Sequence, residues 1–235
     1  MLTDIVSLTL LILLTIAAYA LARGLYLRYR HPLVQPVFLA ASLIIAILLL
    51  SGRSFEDYRA TKDILSWFLG PLTVALAVPV YKQRDRLRAA ALPLTLGVAF
   101  GAASTIAAVL VLAAVAHLDG SLLPSLAVKS VTAPIAIELA RLQGGEPSLA
   151  ATFAIITGTL GAMFGPAVLD RLRVTDPAAR GIALGTASHG QGTAAALLES
   201  ETAGAMSSLA MAGAAVFTAA IAPTYIPALL RLLVG

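Results

Sequence analysis

Long uncharged runs alternate with short charged segments along this chain. Seven of these runs reach the roughly 17 to 25 residues that a membrane-spanning helix needs: Ile5 to Ala22, Pro32 to Gly52, Ile64 to Tyr81, Ala89 to Ala116, Pro147 to Leu169, Gly181 to Leu198 and Thr202 to Leu230. We therefore predict an all-α, polytopic membrane protein with about seven transmembrane helices, forming a single integral membrane domain over residues 1–235.

The stretch 121–142 departs from this pattern. Lys129 divides it into two apolar pieces, and neither piece is long enough to cross a bilayer, so we predict a broken or re-entrant segment. If the segment dips in and returns, eleven basic residues lie on one side and four on the other. The positive-inside rule then puts the N-terminus outside, the C-terminus in the cytoplasm and the acidic loop Glu199 to Glu201 outside. A tilted, broken spanning helix is the alternative.

The same topology suggests an inverted repeat. Residues 33–117 and 148–234 each contain three predicted spans, in opposite orientations. The middle span of each block is interrupted, by "FLGPLTVALAVP" in the first and by "GTASHGQGT" in the second. Interrupted helices at matching places in two opposed halves are typical of transporters that bind their substrate near the middle of the membrane.

Composition supports a membrane protein and excludes several other classes. Of the residues, 59% are hydrophobic and 12% are charged, whereas soluble domains carry roughly a quarter charged residues. The net charge of +4 fits basic cytoplasmic loops and predicts no nucleic-acid partner. The chain has no cysteine, and it contains no P-loop, HExxH or GxSxG motif. We predict that it is not an enzyme, with no catalytic residue, no metal site and no cofactor.

The stretch "KSVTAPIAIE" is the first candidate binding segment. A helix that begins near the proline would point its N-terminus into the membrane, where hydroxyls satisfy freed N–H groups and a lysine adds positive charge. We predict a pocket for a small carboxylate formed by Lys129, Ser130, Thr132 and Pro134. Glu138 is a candidate coupling residue. The alternatives are that Lys129 snorkels to the interface and that Glu138 pairs with Arg141.

The second candidate segment is "GTASHGQGTAAALLE". Its polar side chains lie among three glycines in an uncharged run, and its histidine titrates near neutral pH. We predict that the substrate is bound here by Ser188, His189, Gly190, Gln191 and Thr193, and that His189 takes part in coupling to H⁺ or Na⁺. Close helix packing is the alternative. In the first interrupted span, Pro71 and Thr73 are predicted to line the same site.

Five stretches resemble, in order, the motifs of the LrgB/CidB family of bacterial membrane proteins: "FLGPLTVALAVPVYK", "KSVTAPIAIELA", "ITGTLGAMFGP", "ARGIALGTASHGQGTAAA" and "SSLAMAGAAVFTAAIAP". A similar domain forms part of the plastidal glycolate/glycerate transporter. The resemblance implies the bacterial inner membrane. It also implies either a carrier of small monocarboxylates or hydroxyacids such as pyruvate, glycolate or glycerate, or an antiholin-like modulator of murein hydrolase export and lysis with a small LrgA/CidA-like partner. By analogy with other carriers, a homodimer is expected.

Overall fold

The computed structural model describes residues 2–68, 71, 74–75, 77–82 and 84–234. Every regular element in these ranges is helical, which confirms the predicted all-α fold. The helices are α1 Leu2–Tyr29, α2 Pro36–Leu50, α3 Phe55–Trp67, α4 Ala77–Lys82, α5 Arg84–Ala89, α6 Ala91–Val115, α7 Leu123–Ala127, α8 Ala133–Leu142, α9 Pro147–Arg171, α10 Pro177–Glu199 and α11 Glu201–Val234. The chain divides into two compact units, residues 1–77 and 78–235.

The described helices confirm a multi-pass membrane protein but not the number of seven spans. Four segments are long and apolar enough to cross a membrane: Val6–Tyr29, Ala91–Ala113, Pro147–Arg171 and Glu201–Thr224. The helix Pro36–Leu50 is apolar but shorter. The predicted span Ile64 to Tyr81 lies partly outside the described residues, and the predicted span Gly181 to Leu198 has a different structure, given below.

In the first unit, α1 and α2 pack together through small and branched apolar side chains. Ala18 and Ala22 of α1 lie in one buried cluster with Ala40 and Ile44 of α2. The polar helix α3 joins them through Tyr58, whose hydroxyl lies 3.0 Å from Thr15 Oγ1. This contact ties the charged segment after α2 to the membrane helix α1.

In the second unit, the segment 121–142 folds as a helical hairpin, which we call the first hairpin. α7 runs in, the chain turns at 128–132, and α8 runs back. Both ends of the hairpin meet, because Ser125 Oγ accepts a hydrogen bond from Glu146 N–H at 2.7 Å and donates to Glu146 O at 3.0 Å. With ten residues, α8 is about 15 Å long, half the thickness of a bilayer core. The segment turns back on itself, which is the geometry of a re-entrant element and not of a tilted spanning helix.

The predicted span Gly181 to Leu198 also folds back on itself, contrary to the expectation of a crossing helix. Nε of Arg180 lies 2.6 Å from Glu199 Oε2, although a straight helix would separate these residues by about 28 Å. The turn is at His189, whose backbone has φ 42° and ψ −129°. The two arms touch, because a Cβ on Gly192 would collide with the carbonyl oxygen of Leu184. We call α10 the second hairpin.

The two hairpins begin at opposite ends of α9. Glu146, which caps the start of α9, closes the first hairpin, whereas Asp170 near its end pairs with Arg180 of the second hairpin at 2.8 Å. α11 starts beside the second hairpin and runs back, so that Ile226 packs in one core cluster with Leu123 of the first. Each hairpin is thus followed by a long helix, and the two hairpin–helix pairs run in opposite directions. That residues 33–117 and 148–234 form the two inverted repeats stays a prediction.

This arrangement corrects two details of the predicted topology. Glu199 and Glu201 bond Arg180 and Lys82 at 2.6 Å and 3.3 Å, so the acidic loop lies at the end of the second unit that carries the basic residues, not at the opposite end. Since α10 does not cross, α11 ends on the side away from those basic residues. The expectation of a C-terminus on their side is therefore wrong, because it counted α10 as a span.

Candidate functional site

The tips of the two hairpins meet beside the middle of α9. A cavity of about 590 Å³ lies there, and it is lined by residues from α6, α9, the second hairpin and the tip of the first hairpin. The lining residues are Thr105, Lys129, Thr157, Leu160, Gly161, Phe164, Gly165, Val168, Leu169, Ala183, Leu184, Ala187 and Ser188. The cavity thus joins one residue of "KSVTAPIAIE" to one of "GTASHGQGT", two motifs that are about 60 residues apart in the sequence.

Lys129 is the charged group of this cavity. It follows α7 in the turn of the first hairpin, and its Nζ donates to Ser130 Oγ at 3.2 Å. Within the described residues, no carboxylate forms an ion pair with it. A half-buried ammonium in an apolar environment is costly unless an anion or strong acceptors compensate it. Lys129 therefore lacks a counter-ion, and an anionic ligand would supply one.

Ser188 brings a hydroxyl from the tip of the second hairpin to the same cavity. Its side chain is 2% exposed, and it fits against α9 only because residue 161 is glycine: a Cβ on Gly161 would collide with Ser188 Oγ. Gly158, one turn earlier, allows the same close approach for His189, since a Cβ there would lie 2.6 Å from His189 Cε1. Small residues at a helix interface let backbones approach in this way.

His189 holds the tip of the second hairpin against α9. Its Nε2 lies 2.9 Å from the carbonyl oxygen of Ala154. A carbonyl only accepts, so Nε2 carries the hydrogen and, in the neutral ring, Nδ1 is the free acceptor. The ring packs on Gly158 and does not line the cavity. His189 thus lies beside the cavity rather than in it.

The other predicted residues of this motif point elsewhere. Thr193 Oγ1 donates to His189 O and lies 3.0 Å from Ser207 Oγ of α11, which fixes the second arm of the hairpin. The Gln191 amide nitrogen is 3.5 Å from Ile155 O, and its Oε1 is buried without a partner among the described residues. Gly190 lies near the sulfur of Met211. The side chains of Gln191 and Thr193 thus position the hairpin tip.

In the first hairpin, the structure separates the remaining predicted residues from the cavity. α8 begins at Ala133, just before Pro134, as predicted, but Thr132 makes no side-chain cap. The hydroxyl of Ser130 accepts from Lys129 instead of capping the helix. Glu138 forms an exposed ion pair with Arg141 at 3.0 Å, which is the alternative stated for it and gives no sign of a coupling role.

The predicted contribution of the first interrupted span stays open. Thr73 lies outside the described residues, and Pro71 belongs to the first unit.

Two lining residues, Thr105 and Thr157, were not predicted from the sequence. A threonine in an apolar run can bond back to its own helix, as Thr105 Oγ1 does to Ala102 O at 2.8 Å, so no local signal distinguished these two residues. Among the described residues, no group of His, Asp or Glu side chains is placed to hold a metal ion.

The fold and the cavity define a class: a multi-pass helical membrane protein in which two opposed half-length hairpins meet at an unpaired lysine. The chain belongs to the LrgB-like family, which matches residues 15–228. It is similar to Uncharacterized protein YxaC of Bacillus subtilis (38% identical, covering 91% of this chain and 93% of the relative). It is also similar to Antiholin-like protein LrgB of the same organism (31% identical, 92% and 94%). No solved structure matches.

Proposed function

We propose that the protein is a carrier that moves a small organic anion, a monocarboxylate or hydroxyacid, across the bacterial plasma membrane. The observation that carries the proposal is Lys129, which lies unpaired in a cavity level with the middle of α9. A carboxylate would compensate the ammonium, and the hydroxyls of Ser188 and Thr157 would donate further hydrogen bonds to it.

Helix direction adds to the positive potential. α8 and the second arm of the second hairpin both begin near the hairpin tips. The N-terminus of a helix carries a partial positive charge and favours anions. Two opposed half-helices whose N-termini approach the membrane midplane are a feature of secondary transporters. This is the physical reason for preferring a carrier to a simple pore.

The sidedness that we propose follows from the basic residues of the second unit. Apart from Lys129 in the cavity, seven lie at the end where the second hairpin begins and two at the other end. The seven are Lys82, Arg84, Arg86, Arg88, Arg171, Arg173 and Arg180, and the two are Arg141 and Arg231. By the positive-inside rule the second hairpin starts from the cytoplasm and the first from outside.

Transport and its dependence on Lys129 are tested together in proteoliposomes that contain only this protein. We expect uptake of labelled pyruvate, glycolate or glycerate, a large loss in Lys129→Met, which keeps the length of the side chain, and substantial retention in Lys129→Arg, which keeps the charge. Equal uptake by Lys129→Met and the wild type would refute the proposed site. Absence of uptake by the wild type for all three acids would refute the carrier.

Coupling to H⁺ through His189 is part of the proposal. If Nδ1 takes up a proton, uptake should rise as the external pH falls, and His189→Gln should flatten that response, because glutamine bonds the Ala154 carbonyl but does not titrate. His117→Gln is the control, at an exposed position after α6. A requirement for Na⁺ with no pH response would exclude proton coupling.

A second candidate function is antiholin-like control of murein hydrolase export and lysis with a small LrgA-type partner. The name of the similar Bacillus protein favours it. The two functions are separable, since Lys129→Met should abolish uptake whether or not lysis control depends on it. A variant that loses uptake but controls lysis like the wild type, in cells expressing the partner, would indicate two independent activities; parallel loss would make anion transport the basis of both.

A further inference from the structure

The cavity at Lys129 has a polar end and an apolar end. Its polar lining residues are Thr105, Lys129, Thr157 and Ser188, all beside the hairpin tips. From Leu160 to Leu169 its α9 wall is apolar, and the facing arm of the second hairpin adds Ala183, Leu184 and Ala187. Along α9 the distance from Thr157 to Leu169 is about 18 Å. The cavity is therefore a groove that begins at a charge and continues along apolar surface.

The groove is much larger than a two- or three-carbon acid requires. A volume of about 590 Å³ lies within the range of roughly 300 to 1,000 Å³ that is typical of sites for drug-sized ligands. The chain does not fill the apolar end with its own side chains. Leu160, Phe164 and Val168 remain 49%, 44% and 51% exposed.

The charge of the lining matches one anionic group. Lys129 is the single charge among the described lining residues. Arg180, at the base of the second hairpin, is already bonded by Glu199 at 2.6 Å and by Asp170 at 2.8 Å. A second carboxylate bound between Leu160 and Leu169 would meet only apolar lining residues, which is unfavourable.

We infer that the groove binds an amphipathic monoanion, with its carboxylate at Lys129 and an apolar tail of several carbons along α9 and the first arm of the second hairpin. This inference rests on the proposed carrier function and narrows its substrate class. Within a series of acids with the same head, each methylene that leaves water for the groove strengthens binding about fourfold.

The test is competition against labelled glycolate uptake by unlabelled 2-hydroxy acids of two to eight carbons. We expect the inhibition constant to fall about fourfold per added methylene over the first few carbons, and a dicarboxylate of equal length to compete poorly. Ala187→Leu, at an exposed lining position, should weaken the longer acids tenfold or more relative to glycolate. Ala183→Leu provides a second narrowing variant, and both are checked for a monodisperse elution profile.

The matched control is Ala212→Leu, which makes the same change in the separate apolar groove between α6 and α11 and should leave the whole series unchanged. Lys129-dependent uptake with the same inhibition constant for every tail length would overturn the inference and leave the carrier intact. Long acids that compete equally well in the wild type and in Ala187→Leu would show binding to lipid or to another surface, and would also overturn it. If the wild-type protein shows no uptake that depends on Lys129, the proposed function itself is refuted.

Discussion

At the scale of single residues, His189 has an unusual backbone. Its φ of 42° and ψ of −129° match the first central position of a type II′ turn, which favours glycine. A side chain at such a position costs about 1 to 3 kcal/mol. The bond from Nε2 to Ala154 O and the bond from Thr193 to His189 O hold the turn. The imidazole thus compensates locally for the strain of its own backbone.

Two variants separate the backbone of His189 from its side chain. His189→Gly removes the hydrogen bond but relieves the strain, whereas His189→Ala removes the bond and keeps the strain. We expect His189→Ala to be less stable than His189→Gly by about 1 kcal/mol, measured by thermal unfolding in detergent. Equal stability of the two variants would contradict the turn geometry.

Gly158 and Gly161 give a steric prediction at the same scale. Gly161→Ala and Gly158→Ala place a methyl group against Ser188 and His189, and we expect each to destabilise the second unit by about 1 to 3 kcal/mol. Gly24→Ala in α1 is the matched control, since nothing lies within 4 Å of its added Cβ. That control should be neutral or up to about 1 kcal/mol stabilising. A neutral Gly161→Ala would show that the hairpin tip does not contact α9.

At the scale of elements, the second hairpin is closed by Arg180. Its guanidinium bonds Glu199 on the other arm, Asp170 at the end of α9 and the carbonyl of Val174 at 2.9 Å. Arg180 and Glu199 are 12% and 16% exposed, so water screens their ion pair only weakly. One side chain therefore fixes both arms to the neighbouring helix.

We expect Arg180→Met to destabilise the protein by about 3 kcal/mol, because it leaves a poorly solvated carboxylate without its partner. The exchange of charges in Arg180→Glu with Glu199→Arg should recover part of the loss, which a double-mutant comparison of unfolding temperatures would detect. Arg141→Met, which breaks the exposed pair with Glu138, should have little effect. If Arg180→Met lowers the unfolding temperature no more than Arg141→Met does, Arg180 does not close the hairpin.

The carboxyl of Glu146 caps the start of α9, next to the base of the first hairpin. Hydrogen bonds from the Ser148 hydroxyl and the Leu149 N–H hold the pKa of the Glu146 carboxyl below its ordinary value. A carboxyl with a lowered pKa in the folded state stabilises the fold above its unfolded pKa, and this contribution is lost as the pH falls through the folded pKa. We expect the unfolding temperature to fall below about pH 4.5, and to fall less steeply in Glu146→Gln. An identical pH dependence of both proteins would exclude this role.

At the scale of the whole molecule, the second unit contains two hairpin–helix pairs of opposite direction. α9 runs from the first hairpin to the second, and α11 runs back. Each hairpin reaches about half way, so that polar residues from opposite ends meet beside Gly161. Backbone at membrane depth without regular hydrogen bonds is tolerated where it is buried in protein or lines a cavity.

Labelling of introduced single cysteines tests this topology, and no native cysteine reacts with the label, since the chain has none. We expect Val174→Cys and Ser200→Cys, on either side of α10, to react with an impermeant maleimide from the cytoplasmic face. Ser121→Cys and Leu142→Cys, on either side of the first hairpin, should react from the outer face. Labelling of Val174→Cys and Ser200→Cys from opposite faces would mean that α10 crosses the membrane.

The sequence by itself determined the helical membrane class and much of the local structure. Apolar runs identify membrane segments because transfer into lipid is a sum over residues. Lys129 and Pro134 predict the break in 121–142, since a charge is costly in a bilayer and proline is favoured in the first turn of a helix. The order of five motifs also identified the family that the comparisons show.

Only the tertiary structure decided whether an apolar run crosses or returns. Hydropathy is the same whether a chain crosses the membrane or turns back within it. The eighteen uncharged residues from Gly181 to Leu198 therefore predict a straight span. The backbone at His189 and the ion pair between Arg180 and Glu199, 19 residues apart, fold it into a hairpin. The cavity likewise joins Thr105, Lys129, Thr157 and Ser188 from four parts of the chain. Contacts between residues this far apart arise from packing, and no local pattern records them.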